Sequence, residues 1–563
     1  MNAPAHPWLK HYPSGVRWDA PIEQTILQTL LDRAAQDYGE RPVFEYRGRR
    51  ISFRELGESA AKAAAGFIEL GIGQGDAVAL YLPNTPYHPI SFFGALRAGA
   101  RVTHLSPLDA ERDLIYKLKD SGARTLVTTN LFRLLPTALK LLAGGHIDRV
   151  IIGDDGDWGD GSGEPFSESK QVISLGRLMQ DAKAPAQWPD VMPDDIALLQ
   201  YTGATTGLPK AAVLTHGNLT ASVSSYRTWL AGQTPKGLPP DRVIMVLPLF
   251  HIFGLSSVML RHLANGNEML LRPRFDIDQV VHDIEVNKAT SFPGVPTMWI
   301  ALVNYPGIET RDLKSLRVIA SGGAPLPVEI AERTRKLTGL TLTNGWGMTE
   351  TAPAGIAPPA GPNRKPGTIG FPLPGIVAQI VAVDNPRKVL GANEIGELRV
   401  SGPNIMRGYW NRPEETAEAL VDGFFLTGDI GTYDEDGYFF IVDRKKDMII
   451  SGGFNIYPVK IEYALFEHPD IEEALVIGVP DAYRGEAAKA FVKLKAGASP
   501  LTLDALRAFL DGRLGRHEMP AALELCDSLP RTSVGKLSKK ELIEAERRKA
   551  ASRESAQGKS AHA

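Results

Sequence analysis

Residues 201–210, YTGATTGLPK, bring two glycines, the hydroxyls of Thr202, Thr205 and Thr206, and one lysine into a single short stretch. Backbone amides, hydroxyls and an ammonium in such a loop can surround phosphate oxygens. Lys210 neither follows a glycine directly nor precedes Ser or Thr, so this is not a Walker A loop, and an ordinary Gly/Thr hairpin is the plainer alternative. In NGWGMTE, residues 344–350, Gly345 and Gly347 would let backbone approach a planar ligand. Trp346 offers either a stacking face or a core side chain. Thr349 and Glu350 supply hard oxygen donors suited to magnesium bound to phosphates. Asp429 follows a Thr-Gly turn. A carboxylate held there can accept two hydrogen bonds from vicinal ribose hydroxyls, whereas alone it would read as a solvated surface charge. Lys536 sits in the glycine-flanked turn TSVGKLSKK. From a flexible loop its ammonium could neutralise charge that builds as a carboxylate attacks an α-phosphate. Lys539 and Lys540 beside it read as a solvated basic face.

These segments need a scaffold, and the chain supplies one by alternation. Helical patterns at residues 53–70 and 109–122 alternate with the β-rich runs DAVALYLP and RTLVTT. That order predicts a largely parallel sheet with helices on its faces, an α/β fold. The polar run GDDGDWGDGSGEP from Gly153 lacks EF-hand spacing and reads as a solvated loop. Between Gly396 and Phe440, short β segments with turn signals predict a small antiparallel β subdomain. A boundary is expected at the charged run DRKKD, residues 443–447. Beyond it, ALVIGVP and AFVKLK suggest a small α/β unit, and the polar end from about Arg547 reads as a disordered tail. The apolar tract 243–260 is broken by Pro248, His251 and Gly254, so strand, turn and helix are expected there rather than a bilayer span.

A chain of 563 residues exceeds one ordinary domain. With 62 Lys and Arg against 65 Asp and Glu, it offers no general attraction for nucleic acid or an acidic membrane surface, so any anionic ligand must be met locally. The single cysteine, Cys526, suits a reducing compartment, and the start MNAPAHPWLKHYPSG lacks the pattern of a secretory signal. A cytoplasmic protein is expected, with peripheral membrane contact left open and either a monomer or a homodimer.

YTGATTGLPK resembles the phosphate-loop signature of the adenylate-forming superfamily, which includes acyl-CoA synthetases, adenylation domains and firefly-type luciferases. Ala204 and Ala211 depart from the common pattern, both to small residues. The resemblance is carried further, in the expected order, by SGGAPL at Ser321, NGWGMTE, GELRVSGPNIMRGYW at Gly396, GFFLTGD at Gly423, VDRKKDMIISGGFNIYPVKIE at Val442 and PRTSVGKLSKKEL at Pro530. It implies a large multi-subdomain N-terminal domain with a β subdomain, and a small mobile α+β C-terminal domain. The implied partition is an extension over 1–22, an AMP-binding domain over 23–445, a lid over 446–546 and a tail over 547–563.

The resemblance also implies roles. Thr202, Gly203, Thr205, Thr206, Gly207 and Lys210 would hold the triphosphate of ATP, with Thr205 counted as catalytic. Gly323, Ala324, Pro325, Gly345, Trp346, Gly347 and Thr349 would border the adenylate, with Trp346 against adenine. Asp429 and Arg444 would contact the ribose, and Glu350 would bind Mg2+. Lys536 would be the catalytic lysine of adenylation, and Lys446 the hinge about which the lid turns. That turn would bring Gly452 and Gly453 beside the channel for the arm of coenzyme A. His251, in the apolar run PLFHIFGLSS, would gate the acyl pocket, although a hydrogen-bonded core histidine is the alternative reading.

The implied reaction converts a fatty acid, ATP and CoA into acyl-CoA, AMP and diphosphate. VDRKKDMI and SGGFNIYP look like medium- and long-chain fatty acyl-CoA synthetases. Three rivals are a fatty acyl-AMP ligase serving a carrier protein, a luciferase-like oxygenase, for which nothing in the chain demands oxygen chemistry, and an idle nucleotide sensor; a dicarboxylate-CoA ligase is a further alternative. A dicarboxylic acid would need a cation at the far end of its tunnel, because a buried unpaired carboxylate is costly, and the sequence singles out no such cation.

Overall fold

In the strand Ala77–Leu80 every residue is buried, and successive side chains leave by opposite faces. Val78 and Leu80 join one core with Phe67 and Phe92, while Ala77 and Ala79 join another with Leu126 and Val150. The computed structural model describes residues 6–202, 208–235, 237–324, 326, 328–360, 364–451, 454–481, 483–532 and 537–549.

That strand sits in a seven-stranded sheet ordered Val172–Ser174, Arg149–Gly153, Thr125–Thr129, Ala77–Leu80, Arg101–His104, Ile196–Thr202, Lys210–Thr215. Its neighbours are parallel except for the last pair, an antiparallel hairpin. A second seven-stranded sheet runs Thr343–Asn344, Val318–Ser321, Ser291–Gly294, Arg242–Met245, Glu268–Leu271, Pro42–Tyr46, Arg49–Ser52, again parallel with one antiparallel edge. Helices Phe53–Glu69 and Tyr87–Arg97 pack on each other, the former against the second sheet and the latter against the first. Tyr87 through Leu96 are buried without interruption, as a helix enclosed on all sides requires.

Strands Val377–Ala382, Asn385–Val389, Gly396–Ser401, Leu420–Val421, Phe424–Tyr433 and Phe439–Arg444 form an antiparallel sheet. It begins about twenty residues before the expected position, because the exposed strand Asn385–Val389 carries no apolar alternation. The last part of the chain has a core of its own, in which Ile461 and Leu465 pack with Val476, Val492, Leu506 and Leu510. The molecule is thus α/β, with a large first portion and a small second one.

Three expectations need amendment. The acidic stretch after Gly153 is not simply solvated: Asp155 is 1% exposed and receives Arg47 Nη1 at 2.8 Å, while Asp157 receives the Tyr87 hydroxyl at 2.6 Å. The apolar tract holds the strand Arg242–Met245 and then a π-helix, Phe253–Leu260, instead of an ordinary helix. Among the described residues no helix is long and apolar enough to cross a membrane. The helix over 540–549 runs past the expected start of the tail, because Lys549 pairs with Glu546 at 2.7 Å and Glu524 at 3.2 Å. The rest of the expected tail, 550–563, lies outside the described residues.

The first residues are tied to the β subdomain by aromatics. Trp8 is 1% exposed and lies 5.9 Å from the Phe439 ring. The Tyr12 hydroxyl donates to Pro372 O at 2.8 Å, and Trp18 Nε1 to Ile376 O at 2.9 Å.

Candidate active site

A cleft of about 2710 Å³ opens where the carboxyl ends of the parallel strands meet the β subdomain and the small C-terminal portion. Thr202, Lys210, His251, Gly323, Ala324, Gly345, Trp346, Gly347, Thr349, Glu350, Asp429, Arg444 and Lys446 all line it. The structure therefore brings together every described site residue that the sequence singled out. Gly203, Thr205, Thr206, Gly207, Pro325, Gly452, Gly453 and Lys536 lie outside the described residues.

Asp429 is placed by the turn before it. Thr427 Oγ1 donates to Leu398 O at 2.6 Å and accepts from Asp429 N at 3.1 Å, and Glu397 Oε1 accepts from Gly428 N at 3.0 Å. The Asp429 carboxylate, 4% exposed, receives Arg444 Nε at 2.6 Å on Oδ1 and Trp346 Nε1 at 2.7 Å on Oδ2. Asp429 and Arg444 are direct partners across an antiparallel pair of strands. The negative charge on Asp429 raises the Arg444 pKa despite opposing burial. Trp346 is thus half-buried and anchored by its edge. An alanine Cβ at position 355 would come within 2.6 Å of the indole, so Gly355 makes room for one ring face. Gly347 has a different reason from the expected one: a Cβ there would stand 1.7 Å from Pro353 O, so the glycine serves the approach of the chain to itself.

Glu350 is the middle residue of the short 3-10 helix Thr349–Thr351 and is buried. Its Oε1 accepts the Tyr409 hydroxyl at 2.9 Å. Burial raises the Glu350 pKa, against the opposing effects of backbone and Tyr409 donors. Tyr409 also lies under the Lys210 ammonium, 5.3 Å from ring centroid to Nζ. One tyrosine therefore links Lys210 to the buried carboxylate. No local pattern marks Tyr409 beyond its place in the run GPNIMRGYW. Among the described residues no group of three His, Cys, Asp or Glu side chains gathers as a metal cage. A single buried carboxylate still fits Mg2+, which is commonly held by one or two carboxylates together with phosphate oxygens.

His251 lines the same cleft. Its Nδ1 accepts from Phe253 N at 3.2 Å, which leaves the ring proton on Nε2. The turn carrying it is held from below: Gln200 Nε2 donates to Phe250 O at 2.9 Å, and Gln200 Oε1 accepts from His104 Nδ1 at 2.9 Å. Neither Gln200 nor His104 was singled out by the sequence, since their partnership spans 96 residues.

Lys539 corrects an expectation. Instead of belonging to a solvated face, its side chain is 14% exposed and meets Glu462 Oε1 at 3.0 Å. Burial would lower its pKa, but Glu462, Asp443 and Asp447 outweigh that and raise it. Asp443, 1% exposed, accepts from Arg444 N at 2.7 Å and from Val459 N at 2.8 Å, at the start of the helix Pro458–Phe466. Burial pushes its pKa up to about 6. This buried cluster joins the last strand of the β subdomain to the first helix of the C-terminal portion.

Comparison with known proteins agrees with this geometry. The family model described as AMP-binding enzyme matches residues 31–410, and that described as AMP-binding enzyme C-terminal domain matches 460–536. A long-chain-fatty-acid–CoA ligase of Bacillus subtilis (strain 168) is 38% identical over 560 residues, covering 96% of this chain and 98% of that protein. A feruloyl-CoA synthase of an Amycolatopsis species is 37% identical, covering 88% and 94%. Among solved structures, ATP-bound MatB from Rhodopseudomonas palustris superimposes with a TM-score of 0.82 at 30% identity, covering 92% of this chain and 98% of that one. From the matched length and the shared fold, the chain belongs to the AMP-binding enzyme family.

Proposed function

We propose that the chain is an ATP-dependent acyl-CoA ligase of aliphatic carboxylic acids. The observation that carries this reading is continuity: one cleft joins the Trp346–Asp429–Arg444 cluster to a reach walled by Phe253, Val295 and Ile300. A nucleotide and an acyl chain can meet there head to head. The naming of relatives at 35–38% identity over nearly the whole chain as long-chain-fatty-acid–CoA ligases supports the same substrate class.

In the first half-reaction a carboxylate oxygen attacks the α-phosphorus of ATP, and the bond to diphosphate breaks. Asp429 accepts from the ribose hydroxyls while Trp346 and Arg444 fix the carboxylate that does so. Lys210 and the hydroxyls of residues 202–206 hold the phosphates. Glu350 would hold Mg2+, which when bound neutralises phosphate charge, and Tyr409 keeps that carboxylate oriented. Lys536 neutralises charge at the reacting oxygens.

In the second half-reaction the CoA sulfur attacks the acyl carbon, and the bond to AMP oxygen breaks. Both the lysine and the thiol need the same approach, so the lid turns at Lys446 between the steps, exchanging Lys536 for Gly452 and Gly453. His251, which lines the cleft, is assigned the part of a gate between acyl chain and thiol channel. The proposed setting is the cytoplasm, with a monomer and a homodimer as the two alternatives for assembly.

The test is a screen of carboxylic acids with ATP, Mg2+ and CoA, following AMP and thioester together. Equal amounts of AMP and acyl-CoA are expected. Acyl-adenylate released without thioester would replace this reading with that of a ligase serving a carrier protein.

A further inference from the structure

The far reach of the cleft is not apolar. Phe253 lies beside the nucleotide end, since a Cβ on Gly322 would come within 3.0 Å of its ring. Ser257 and Arg261 follow at steps of four residues and line the same cleft. The helical face therefore leads away from the reacting carboxylate for a distance on the order of 10 Å. Helix His216–Ala231 brings Tyr226 to the opposite wall. Its hydroxyl meets Ser257 Oγ at 3.4 Å, and its ring centroid lies 5.8 Å from the Arg261 guanidinium.

Arg261 is half-buried, with Nε donating to Ser257 O at 2.7 Å. Among the described residues no carboxylate pairs with it. Asp241, whose charge reaches it, is occupied by Arg317 Nη2 at 2.7 Å and Thr290 Oγ1 at 2.8 Å.

The neighbouring histidine holds the guanidinium in place. Arg261 Nη2 donates to His262 Nε2 at 2.8 Å, and Asn267 Nδ2 stands 2.9 Å from Nδ1 of the same ring. Burial, reinforced by Arg261, holds the His262 pKa well below its usual value, so the ring is neutral and accepts that bond.

We propose that this end of the cleft binds an anion carried by the substrate: the preferred acid has a second carboxylate at the far end of its methylene chain, received by the Arg261 guanidinium that His262 and Ser257 hold in place. A guanidinium offers carboxylate a charge-assisted, geometrically matched set of donors. A terminal methyl group would leave the same guanidinium desolvated against hydrocarbon. The inference rests on the acyl-CoA ligase reading and names its substrate class as α,ω-dicarboxylic acids.

The experiment compares dicarboxylic and monocarboxylic acids of matched length by AMP release in the presence of ATP, Mg2+ and CoA, for the full chain and for Arg261→Met and Arg261→Lys. The wild type is expected to favour the dicarboxylic acid at its best length. Arg261→Met should lose roughly 100-fold in kcat/KM for that acid, mainly through KM, and gain on the monocarboxylic acid, which also reports that it folds. Arg261→Lys should keep part of the preference, and decides the matter with the wild type if Arg261→Met is insoluble. A wild-type preference for monocarboxylic acids at every length, or an unchanged ratio in the variants, overturns the inference and leaves the ligase reading intact. No AMP release with any acid overturns both.

Discussion

The indole Nε1 of Trp346 donates to Oδ2 of Asp429 across 2.7 Å, joining residues 83 apart in the chain. The aromatic that would face adenine and the carboxylate that would read ribose are therefore one unit. Trp346→Phe keeps a stacking face and removes the donor. A hydrogen bond to a charged acceptor contributes about 1.5–3 kcal/mol, so KM for ATP should rise at least about tenfold with kcat little changed. Initial rates against ATP concentration measure this; an unaltered KM would show that the bond is idle.

Tyr409→Phe deletes the hydroxyl that Glu350 accepts and keeps the ring under Lys210. The buried carboxylate then lacks its side-chain donor. Activity at limiting Mg2+ should fall about tenfold and recover at high Mg2+. Titration of rate with Mg2+ at fixed ATP is the check, and equal losses at all concentrations would count against a metal-orienting role.

Lys536→Ala should slow acyl-adenylate formation by roughly 100- to 1,000-fold. Thioester formation from supplied acyl-adenylate and CoA should persist, because the proposed exchange takes the lysine out of the cleft before that step. Equal loss of both half-reactions would sink the exchange of residues by lid rotation.

Asp443 carries a pH signature. Its carboxyl is raised from the usual 3.8 to about 6 by burial, so the folded state holds the proton more tightly than the unfolded chain. The resulting stability is full below pH 3.8 and disappears as pH rises to about 6. A two-unit shift corresponds to about 3 kcal/mol. Asp443→Asn does not titrate, so its melting temperature relative to wild type should climb between pH 4 and 6 and then level off. Thermal unfolding across that range tests this, and a flat difference would place the titration elsewhere.

The parallel sheets were legible because their strands alternate with amphipathic helices. The site segments were legible because glycines, hydroxyls and acids cluster within a few residues. What escaped were partnerships between distant positions: Tyr409 with Glu350, His104 with Gln200, and Arg261 with His262 at a cleft end that no local pattern marks. Lys539 was misjudged because a run of lysines looks solvated whether or not Glu462 waits beneath it. The π-helix was hidden for a related reason: FGLSSVML is apolar almost all round, and such a run carries no period from which to read its winding.

The aromatic clasp between Trp8 and Phe439 sets an order on synthesis. The ribosome releases Trp8 more than four hundred residues before its resting place on Phe439 and Gly437. Until then two tryptophans must wait without their partners, a long-range closure of the kind that slows folding and leaves apolar surface uncovered. The segment around Trp8 is fastened only once the β subdomain has been made, so the nascent chain is exposed to misassociation over that whole interval.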